Sequence, residues 1–450
     1  MKKYFEKLCF GGALLFGLSM SLTSCEGALD DILGEWSRPV PGSSTGGGGS
    51  STINATAIAL DQTMKVIKLG GDALTIKATV TPTDATDKTV TWESKDPTIA
   101  TVENGVVTPV GLGITTITAK SGELSATCEV FVGTEVDLSS ETADYNTNDY
   151  DILSGDIGAH YINIPYISGG CHVAFNGMAT TKGISCMSDA TIYLIDGKTN
   201  TVTATSNYPG IWIGVTGKTL TINAETEGTG ILNATGGSGG GAGIGTGGAT
   251  GSNVENGNIE INGGVINATG GGSVIDGGAG IGTGTANNKT NKCGDITING
   301  GTVTAKGGNI AAGIGTGVGN YGTNTCGDIT INGGTVTATG VVGSAGIGTG
   351  LGSGISNTCG AITIGAGVKS VTATKDNYSP NSIGMGDTAA GTQTCGKIKF
   401  GTAEVFDGAS TWDTSIIFNT DGDYGPYGGL NLNISTKTNA NDTWTLTPAP

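Results

Sequence analysis

The chain is 450 residues long and contains 83 glycines, while only 13% of its residues are charged and 5% are aromatic. This composition excludes a helical bundle and an ordinary disordered tail, and it indicates a repetitive fold rich in β-structure. The 21 lysines and arginines stand against 38 aspartates and glutamates. Because the sequence offers no basic patch for phosphates, we expect no nucleic-acid partner.

The N-terminus has the pattern of an exported protein. Two lysines follow Met1, and the apolar run from Leu8 to Leu22 is too short and too rich in glycine for a stable membrane span. This pattern predicts a signal peptide over residues 1–24. The run ends in Leu-Thr-Ser before Cys25, which resembles the bacterial lipobox and implies that Cys25 becomes the lipid-bearing first residue. The alternative is an ordinary cleaved signal beside a chance cysteine.

A lipid on Cys25 implies a membrane partner without a spanning helix, because each buried acyl CH₂ contributes about 0.8 kcal/mol. Acidic residues soon after it, Glu26, Asp30 and Asp31, resemble the export signals of surface lipoproteins in the Bacteroidetes. We therefore expect a lipid-anchored outer-membrane protein that is displayed at the cell surface. Residues 25–52 are rich in glycine and serine and are expected to form a flexible tether.

Residues 53–133 show short β-branched runs separated by turn residues, at the spacing of an all-β sandwich. Three landmarks in this segment, Val80–Thr86, Val90–Val102 and Gly105–Pro109, resemble the bacterial Ig-like group 2 domain. That resemblance implies a spacer or adhesive module without a catalytic group. Cys128, the lone cysteine here, is expected to be a small buried hydrophobe.

The remainder of the chain is repetitive. The hexapeptide Ala-Gly-Ile-Gly-Thr-Gly begins at residues 242, 279, 312 and 345, and two other short strand motifs follow it at each step. Because one coil cannot bury such short strands alone, the repeats predict coils that stack directly on one another. The key isoleucines recur with a step of 33 residues and small insertions at Ile211, Ile244, Ile281, Ile314, Ile347 and Ile383.

The predicted fold class is therefore all-β, an Ig-like β-sandwich followed by a parallel β-helix, or β-solenoid, of 33-residue coils. We expect irregular first coils and an N-terminal cap at 134–209, regular coils at 210–400 and a C-terminal cap at 401–450. Stacking should align equivalent residues into ladders, such as Asn262, Asn299 and Asn332 at a turn, and Cys293, Cys326, Cys359 and Cys395 in another column.

The cysteine column is interpreted as packing and not as a metal site, because zinc requires thiolates that converge tetrahedrally whereas stacked equivalents lie in a line. Cysteines of adjacent coils fall within disulfide reach, and a bridge between Cys171 and Cys186 stays open at this point. Asp421 and Asp423 offer carboxylates to calcium, although a solvated turn is the favoured interpretation. We predict no metal ion and no cofactor.

The chemistry of the sequence argues against an enzyme. Pectate-lyase-like sites generally use Arg or Lys with carboxylate-bound calcium, and the one arginine is Arg38 in the tether. His160 and His172 both precede the regular repeats, and Asp295 and Asp328 begin strands beside a turn, where turn residues are common. We therefore predict no catalytic residue.

Two sets of residues are candidates for ligand binding. The outward hydroxyls of Thr302, Thr304, Thr335 and Thr337 have a fixed spacing that suits a repetitive glycan, although threonine is equally natural on an outward β-face. Tyr208 and Trp212 are the candidates for stacking against sugars, since aromatic residues are scarce in the repeats. Several other aromatic residues are expected to cap the solenoid ends.

The repeats from 210 to about 386 resemble the glycine-rich arrays of large surface proteins in gut bacteria, which implies display or adhesion. The expected function is a cell-surface lipoprotein with a non-catalytic adhesion or glycan-binding role, and its expected partners are extracellular or host glycans or proteins. The alternatives are a purely structural envelope protein and a polysaccharide-active β-helix enzyme.

Overall fold

A computed structural model describes residues 52–449, except residues 227, 250, 377, 407–421 and 438–440. The predicted signal peptide, most of the tether and the lipidation residue Cys25 lie outside the described residues. Apart from one short 3-10 helix, Leu138–Ser140, the regular elements of the described chain are all β-strands. The prediction of an all-β protein is confirmed.

The first folded part is a small sandwich of short strands that pair mainly antiparallel. Its core contains Ile76, Val107, Ile117 and Val130, with Cys128 fully buried among them as predicted. The strands are Ala57–Leu60, Met64–Lys68, Leu74–Thr75, Ala78–Thr81, Thr91–Ser94, Ala100–Glu103, Val106–Pro109, Gly113–Ser121 and Leu124–Asp137.

The second part is a solenoid in which each regular coil contributes strands to four columns. The first column is a nine-stranded parallel sheet in which Ile281, Ile314 and Ile347 are direct neighbours, so the predicted stacking is confirmed. Three coils precede the repeat at Ile211, and their strands begin at Tyr145, Ile162 and Ile184, at spacings shorter than 33 residues. The strands are Tyr145–Asn146, Ile162–Ile164, Ile184–Cys186, Ile211–Ile213, Ile244–Gly245, Ile281–Gly282, Ile314–Gly315, Ile347–Gly348 and Ile383–Gly384.

The other three columns follow in chain order. The second, which carries the cysteines, has Val254–Glu255, Ala286–Asn287, Thr290–Cys293, Gly319–Asn320, Thr323–Cys326, Gly352–Cys359 and Thr388–Cys395. The third has Asp151–Asp156, Cys171–Thr180, Ala190–Leu194, Thr219–Ala224, Asn258–Ile261, Ile296–Ile298, Ile329–Ile331, Ile362–Ile364 and Ile398–Phe400. The fourth has Thr199–Thr203, Ile231–Thr235, Val265–Thr269, Thr302–Lys306, Thr335–Thr339 and Ser370–Thr374.

The C-terminal strands run antiparallel and cover the edge of the last coils. Asn441–Pro448 pairs with the fourth column opposite Val371 and places the buried ring of Trp444 over Ala373. Trp444 is therefore an end-capping aromatic residue, as expected from the sequence. The four strands are Ala403–Phe406, Gly422–Tyr427, Leu430–Lys437 and Asn441–Pro448.

The repeated hexapeptide forms a buried corner where successive coils approach closely. Within the corner, the Ala279 N–H donates to the Thr283 carbonyl at 2.9 Å. Between coils, the Thr283 hydroxyl accepts the Gly317 N–H at 2.9 Å. Gly282 has a φ of +134°, and a Cβ on it would collide with the carbonyl group of Gly315 in the next coil. Glycine is therefore required here by both conformation and space.

Side-chain amides hold two further ladders. At the turn after the third column, the Asn332 amide donates to Asn299 at 2.9 Å and the Asn299 amide donates to Asn262 at 2.8 Å, as the stacking predicts. Inside the second column, the fully buried Asn324 and Asn357 lie in register and donate to backbone carbonyls of their own coils. These internal amides donate to the Gly317 and Gly350 carbonyls at the buried glycine corners.

The sandwich is joined to the solenoid through a shared strand and a buried carboxylate. The strand Leu124–Asp137 pairs with Met64–Lys68 in the sandwich and continues alongside Asp151–Asp156 of the first coils. Glu225 of the solenoid is 1% exposed and accepts the Val66 N–H at 2.8 Å and the Lys65 ammonium at 2.7 Å. These contacts fix the sandwich to the N-terminal coils.

We expect Gly282→Ala to lower the free energy of unfolding by about 3 kcal/mol or more, because the added methyl group meets backbone and the positive φ is strained. Gly263→Ala is the matched control, since its Cβ would meet no atom closer than 3.5 Å and its φ is not positive. Thermal and urea unfolding followed by circular dichroism measure both variants. Equal stability of the two would contradict direct coil stacking at this corner.

We expect Glu225→Ala to weaken the junction by about 3 kcal/mol, because it leaves the Lys65 ammonium and the Val66 N–H without their buried acceptor. Hydrogen exchange of the strand Met64–Lys68 should accelerate accordingly. Lys68→Ala is the control, since its ion pair with Glu135 is solvent-exposed and contributes less than about 1 kcal/mol. Unchanged protection in Glu225→Ala would show that the carboxylate does not hold the junction.

Candidate ligand-binding groove

Trp212 lies on the outer face of the first column, in the coil that precedes the first copy of the glycine corner. Its neighbours Ile211 and Ile213 point into the core, so the alternation of the strand turns the indole outward. The equivalent position in the next coil is Gly245, whose φ of +139° belongs to the glycine corner. The indole is therefore the last bulky outward side chain before a column of glycines.

Two tyrosines lie beside Trp212 at the loop that leads from the fourth column into the first. The rings of Tyr161 and Tyr208 meet edge to face with centroids 5.6 Å apart, and the Lys182 ammonium lies 5.8 Å from the centre of the Tyr161 ring. Burial, with the nearby Tyr208, raises the pKa of Tyr161 above its ordinary value. The tyrosines supply uncharged aromatic surface with polar edges.

The opposite wall comes from the coil that follows. The Trp212 indole N–H donates to the Glu255 carbonyl at 3.2 Å, and the Thr216 hydroxyl donates to the Glu255 carboxylate at 2.6 Å. These bonds fix the indole and the carboxylate relative to each other. The larger hollow between the walls encloses about 570 Å³, and a smaller one of about 200 Å³ adjoins it across Tyr208, Pro209 and Trp212.

We name this surface the aromatic groove and define it by Tyr161, Lys182, Tyr208, Trp212, Asn253 and Glu255. Three aromatic rings are combined with one cation, one carboxylate and one amide. Flat apolar rings flanked by a few hydrogen-bonding groups can bind a ligand with alternating CH and OH faces. Among the described residues that line the groove, Glu255 is the one carboxylate.

The structure brings together two of the candidates from the sequence, Tyr208 and Trp212, and separates them from the threonines. Thr302, Thr304, Thr335 and Thr337 lie in register on the outer face of the fourth column, with the inward positions held by Val303 and Ala305. They form a flat ladder and do not line the groove.

The sequence reasoning missed Tyr161, Lys182 and Glu255. Tyr161 and Lys182 belong to the short coils before Ile211, where the 33-residue step is lost. The available signal was that both residues stand just before an isoleucine strand, Ile162–Ile164 or Ile184–Cys186, as Tyr208 stands just before Ile211.

The acidic candidates have structural partners. Asp295 and Asp328 form a ladder in which each carboxylate accepts a backbone N–H of the next coil, from Asp328 at 2.9 Å and from Ala361 at 2.8 Å. Their interpretation as turn residues agrees with this geometry. The Asp423 carboxylate accepts the Asn433 amide at 2.7 Å, and Asp421 lies outside the described residues.

The cysteines align as the repeat predicts. Cys293, Cys326, Cys359 and Cys395 are direct neighbours along the second column, and the Asn256 amide contacts the Cys293 sulfur from the preceding coil at 3.8 Å. All the described cysteines are free thiols, including Cys171 and Cys186, so the bridge left open between those two is not formed. Across the described chain, no three His, Cys, Asp or Glu side chains converge as a set of metal ligands.

Two family models match parts of the chain. Residues 54–130 match the bacterial Ig-like domain (group 2), and residues 259–285, 296–318 and 329–351 match the beta helix repeat. The chain therefore carries a group 2 bacterial Ig-like domain followed by β-helix repeats. This combination indicates a surface or carbohydrate-related protein. None of the described residues belongs to a helix that could span a lipid bilayer.

Three proteins are similar to shorter segments. A 3-O-alpha-D-galactosyl-alpha-L-arabinofuranosidase of Bifidobacterium longum subsp. longum is 40% identical over 82 residues, which are 17% of this chain and 7% of that protein. An Ig-like virion protein of Serratia phage KSP90 is 32% identical over 120 residues, 26% of this chain and 42% of that one. An uncharacterized protein of Clostridium acetobutylicum is 31% identical over 102 residues, 22% of this chain and 24% of that one. The chain spans less than half the length of each of these relatives.

The buried thiols should be inert in the folded protein. Burial raises the pKa of Cys128 to about 12, and the contact with Cys326 together with burial raises the pKa of Cys293 well above 9.0. Since the thiolate is the nucleophile, iodoacetamide at pH 8 should leave both residues unmodified until the chain unfolds. Mass spectrometry of the tryptic peptides measures the modification. Labelling of Cys293 in native protein would contradict a closed column.

Because of the same thiols, the free energy of unfolding should decrease at alkaline pH. They stay protonated in the folded chain, whereas in the unfolded chain they ionise near their ordinary pKa of 9.0. The free energy of unfolding should therefore be insensitive to these groups below about pH 9 and should fall as the pH rises above it. Urea midpoints from pH 7 to pH 11 measure the effect, and Cys326→Ala should reduce the slope.

Proposed function

We propose that this protein is a non-catalytic glycan-binding protein of the bacterial cell surface, held to the outer membrane by a lipid on Cys25, and that it binds glycan in the aromatic groove. The observation that carries the proposal is the cluster of Tyr161, Tyr208 and Trp212 in a chain of which only 5% of the residues are aromatic. Rings of this kind stack against the CH faces of sugars, and adjacent polar groups bind the hydroxyls.

Each wall of the groove has a defined part in this binding. The indole of Trp212 is oriented by its bond to the Glu255 carbonyl, so little conformational entropy is lost when a sugar stacks on it. The remaining lone pairs of the Glu255 carboxylate accept sugar hydroxyls, and the Lys182 ammonium donates to them. The ligand then displaces water from about 570 Å³.

Binding without catalysis is favoured by the shortage of acids. A glycosidase generally needs two carboxylates that flank the bond it cleaves, whereas the described residues of the groove supply Glu255 alone. One oxygen of that carboxylate already accepts the Thr216 hydroxyl. A second candidate function, polysaccharide hydrolysis, is supported by the short similarity to the arabinofuranosidase. Release of reducing sugar from arabinogalactan would favour that candidate over ours.

Affinity electrophoresis in gels that contain arabinogalactan, arabinoxylan or mixed-linkage β-glucan tests the proposal. We expect retardation by at least one polymer, and we expect Trp212→Ala to weaken the affinity about tenfold or more, since a central aromatic anchor is lost. Tyr321→Ala is the control, because Tyr321 is an exposed aromatic residue that lies outside the groove.

The pair Thr302→Val and Thr304→Val separates the groove from the threonine ladder. Valine keeps the shape and the strand preference of threonine and removes its hydroxyl, so we expect unchanged retardation. Loss of binding in that double variant, with full binding in Trp212→Ala, would move the site to the ladder. Migration unaffected by all three polymers would refute glycan binding in favour of a purely structural role.

A further inference from the structure

The aromatic groove is one end of a longer feature, the edge at which each coil passes from the fourth column to the first. Successive loops of this edge are hydrogen-bonded to one another, with Gly237 donating to the Tyr208 carbonyl at 2.9 Å and Gly271 donating to the Gly241 carbonyl at 2.8 Å. In the next loop, the Gly308 N–H donates to the Gly278 carbonyl at 2.8 Å. The edge is therefore continuous along the solenoid axis.

Exposed apolar side chains recur on this edge in the later coils. Val274 and Ile275 are 84% and 62% exposed, Val342 is 39% exposed, and Tyr378 of the last loop is 69% exposed. Their exposure is unusual in a solenoid that buries most of its described aliphatic residues inside the coils. Since clustered exposed apolar residues mark a binding surface, we interpret the three loops that carry them as a continuation of the groove.

A third hollow, of about 390 Å³, lies along this edge. Its walls are glycine loops, and its polar groups are Ser238, Thr269, Lys306 and Asn309. The Asn309 amide donates to the Val274 carbonyl at 2.8 Å, which fixes the loop that carries the exposed Val274 and Ile275. The hollow thus continues the pattern of apolar contact flanked by hydrogen-bonding groups.

We propose, resting on the proposed function, that the ligand is an extended neutral polysaccharide that runs parallel to the solenoid axis from Trp212 to Tyr378. The two residues are five coils apart, which is about 24 Å at the spacing of parallel strands. The distance between adjacent coils is close to the length that one sugar residue adds to an extended polysaccharide. A linear glycan can therefore repeat its contacts coil by coil.

The charges along the edge favour a neutral chain. Acidic residues occur in this edge at Glu255 of the groove, at Asp276 in the loop that carries Val274 and Ile275, and at Asp376 in the last loop, in a chain with 38 acidic residues against 21 basic ones. A polyanionic glycan would be repelled by these carboxylates and by the net negative charge of the chain. A protein surface or a membrane would cover the exposed apolar residues but would not use the fixed spacing of the coils.

The experiment compares short and long fragments of the same polysaccharides on the intact protein. Arabinogalactan, arabinoxylan and mixed-linkage β-glucan are partly hydrolysed and separated into a fraction of dimers and trimers and a fraction of octamers and longer chains. Calorimetry measures the affinity of each fraction for the wild type, for Ile275→Ser with Tyr378→Ala, and for the control Tyr321→Ala. The replaced side chains are exposed, so the fold is expected to be retained.

We expect long fragments to bind about tenfold more tightly than short ones, and the double variant to lose that gain while it binds short fragments normally. Equal affinity for short and long fragments would overturn the extended site and leave the groove intact. Equal loss for both fractions in the double variant would also overturn it. Binding of neither fraction would refute the groove as well, and tighter binding of polygalacturonate would overturn the neutral ligand.

Discussion

The structure depends on the direct stacking of each coil on the next at the glycine corner. There the backbone of Gly282 approaches that of Gly315 so closely that no side chain fits between them. The polar groups of the corner are satisfied internally, because the Thr283 hydroxyl accepts the Gly317 N–H and the Thr283 carbonyl accepts the Ala279 N–H. The glycines of the repeated hexapeptide thus reflect a geometric requirement of the regular coils more than flexibility.

The same requirement decides where a ligand can bind. A corner built from glycine presents backbone and almost no side chain, so the regular coils have little to offer a ligand there. Bulky side chains are allowed where the coil departs from the repeat, as at Trp212 and Tyr208, whose counterparts in the next coil are Gly245 and Gly241. The side chains that we propose for recognition therefore lie in irregular coils and in loops such as the one that carries Ile275.

Neighbouring residues could be predicted from the sequence where the 33-residue period held, and they could not be predicted where the coils have unequal lengths. The step of 33 residues was enough to predict the stacked isoleucines, the asparagine ladder through Asn299 and the cysteine column, because equal spacing places equivalent residues one above another. It did not predict the buried amides of Asn324 and Asn357, since the pattern marks asparagine as a turn residue. It also missed Tyr161, because a coil of unequal length hides which residues become neighbours.

The rigid junction at Glu225 has a consequence for binding by the groove. The sandwich strand Leu124–Asp137 is itself part of the first coils, and the groove begins only a few coils further along. Trp212 lies within a strand of the first column and Tyr161 directly precedes another, and this column is held by the sandwich on one side and by the stacked glycine corners on the other. A site built this way loses little entropy on binding, so even a shallow groove can hold a stiff polymer through many small contacts.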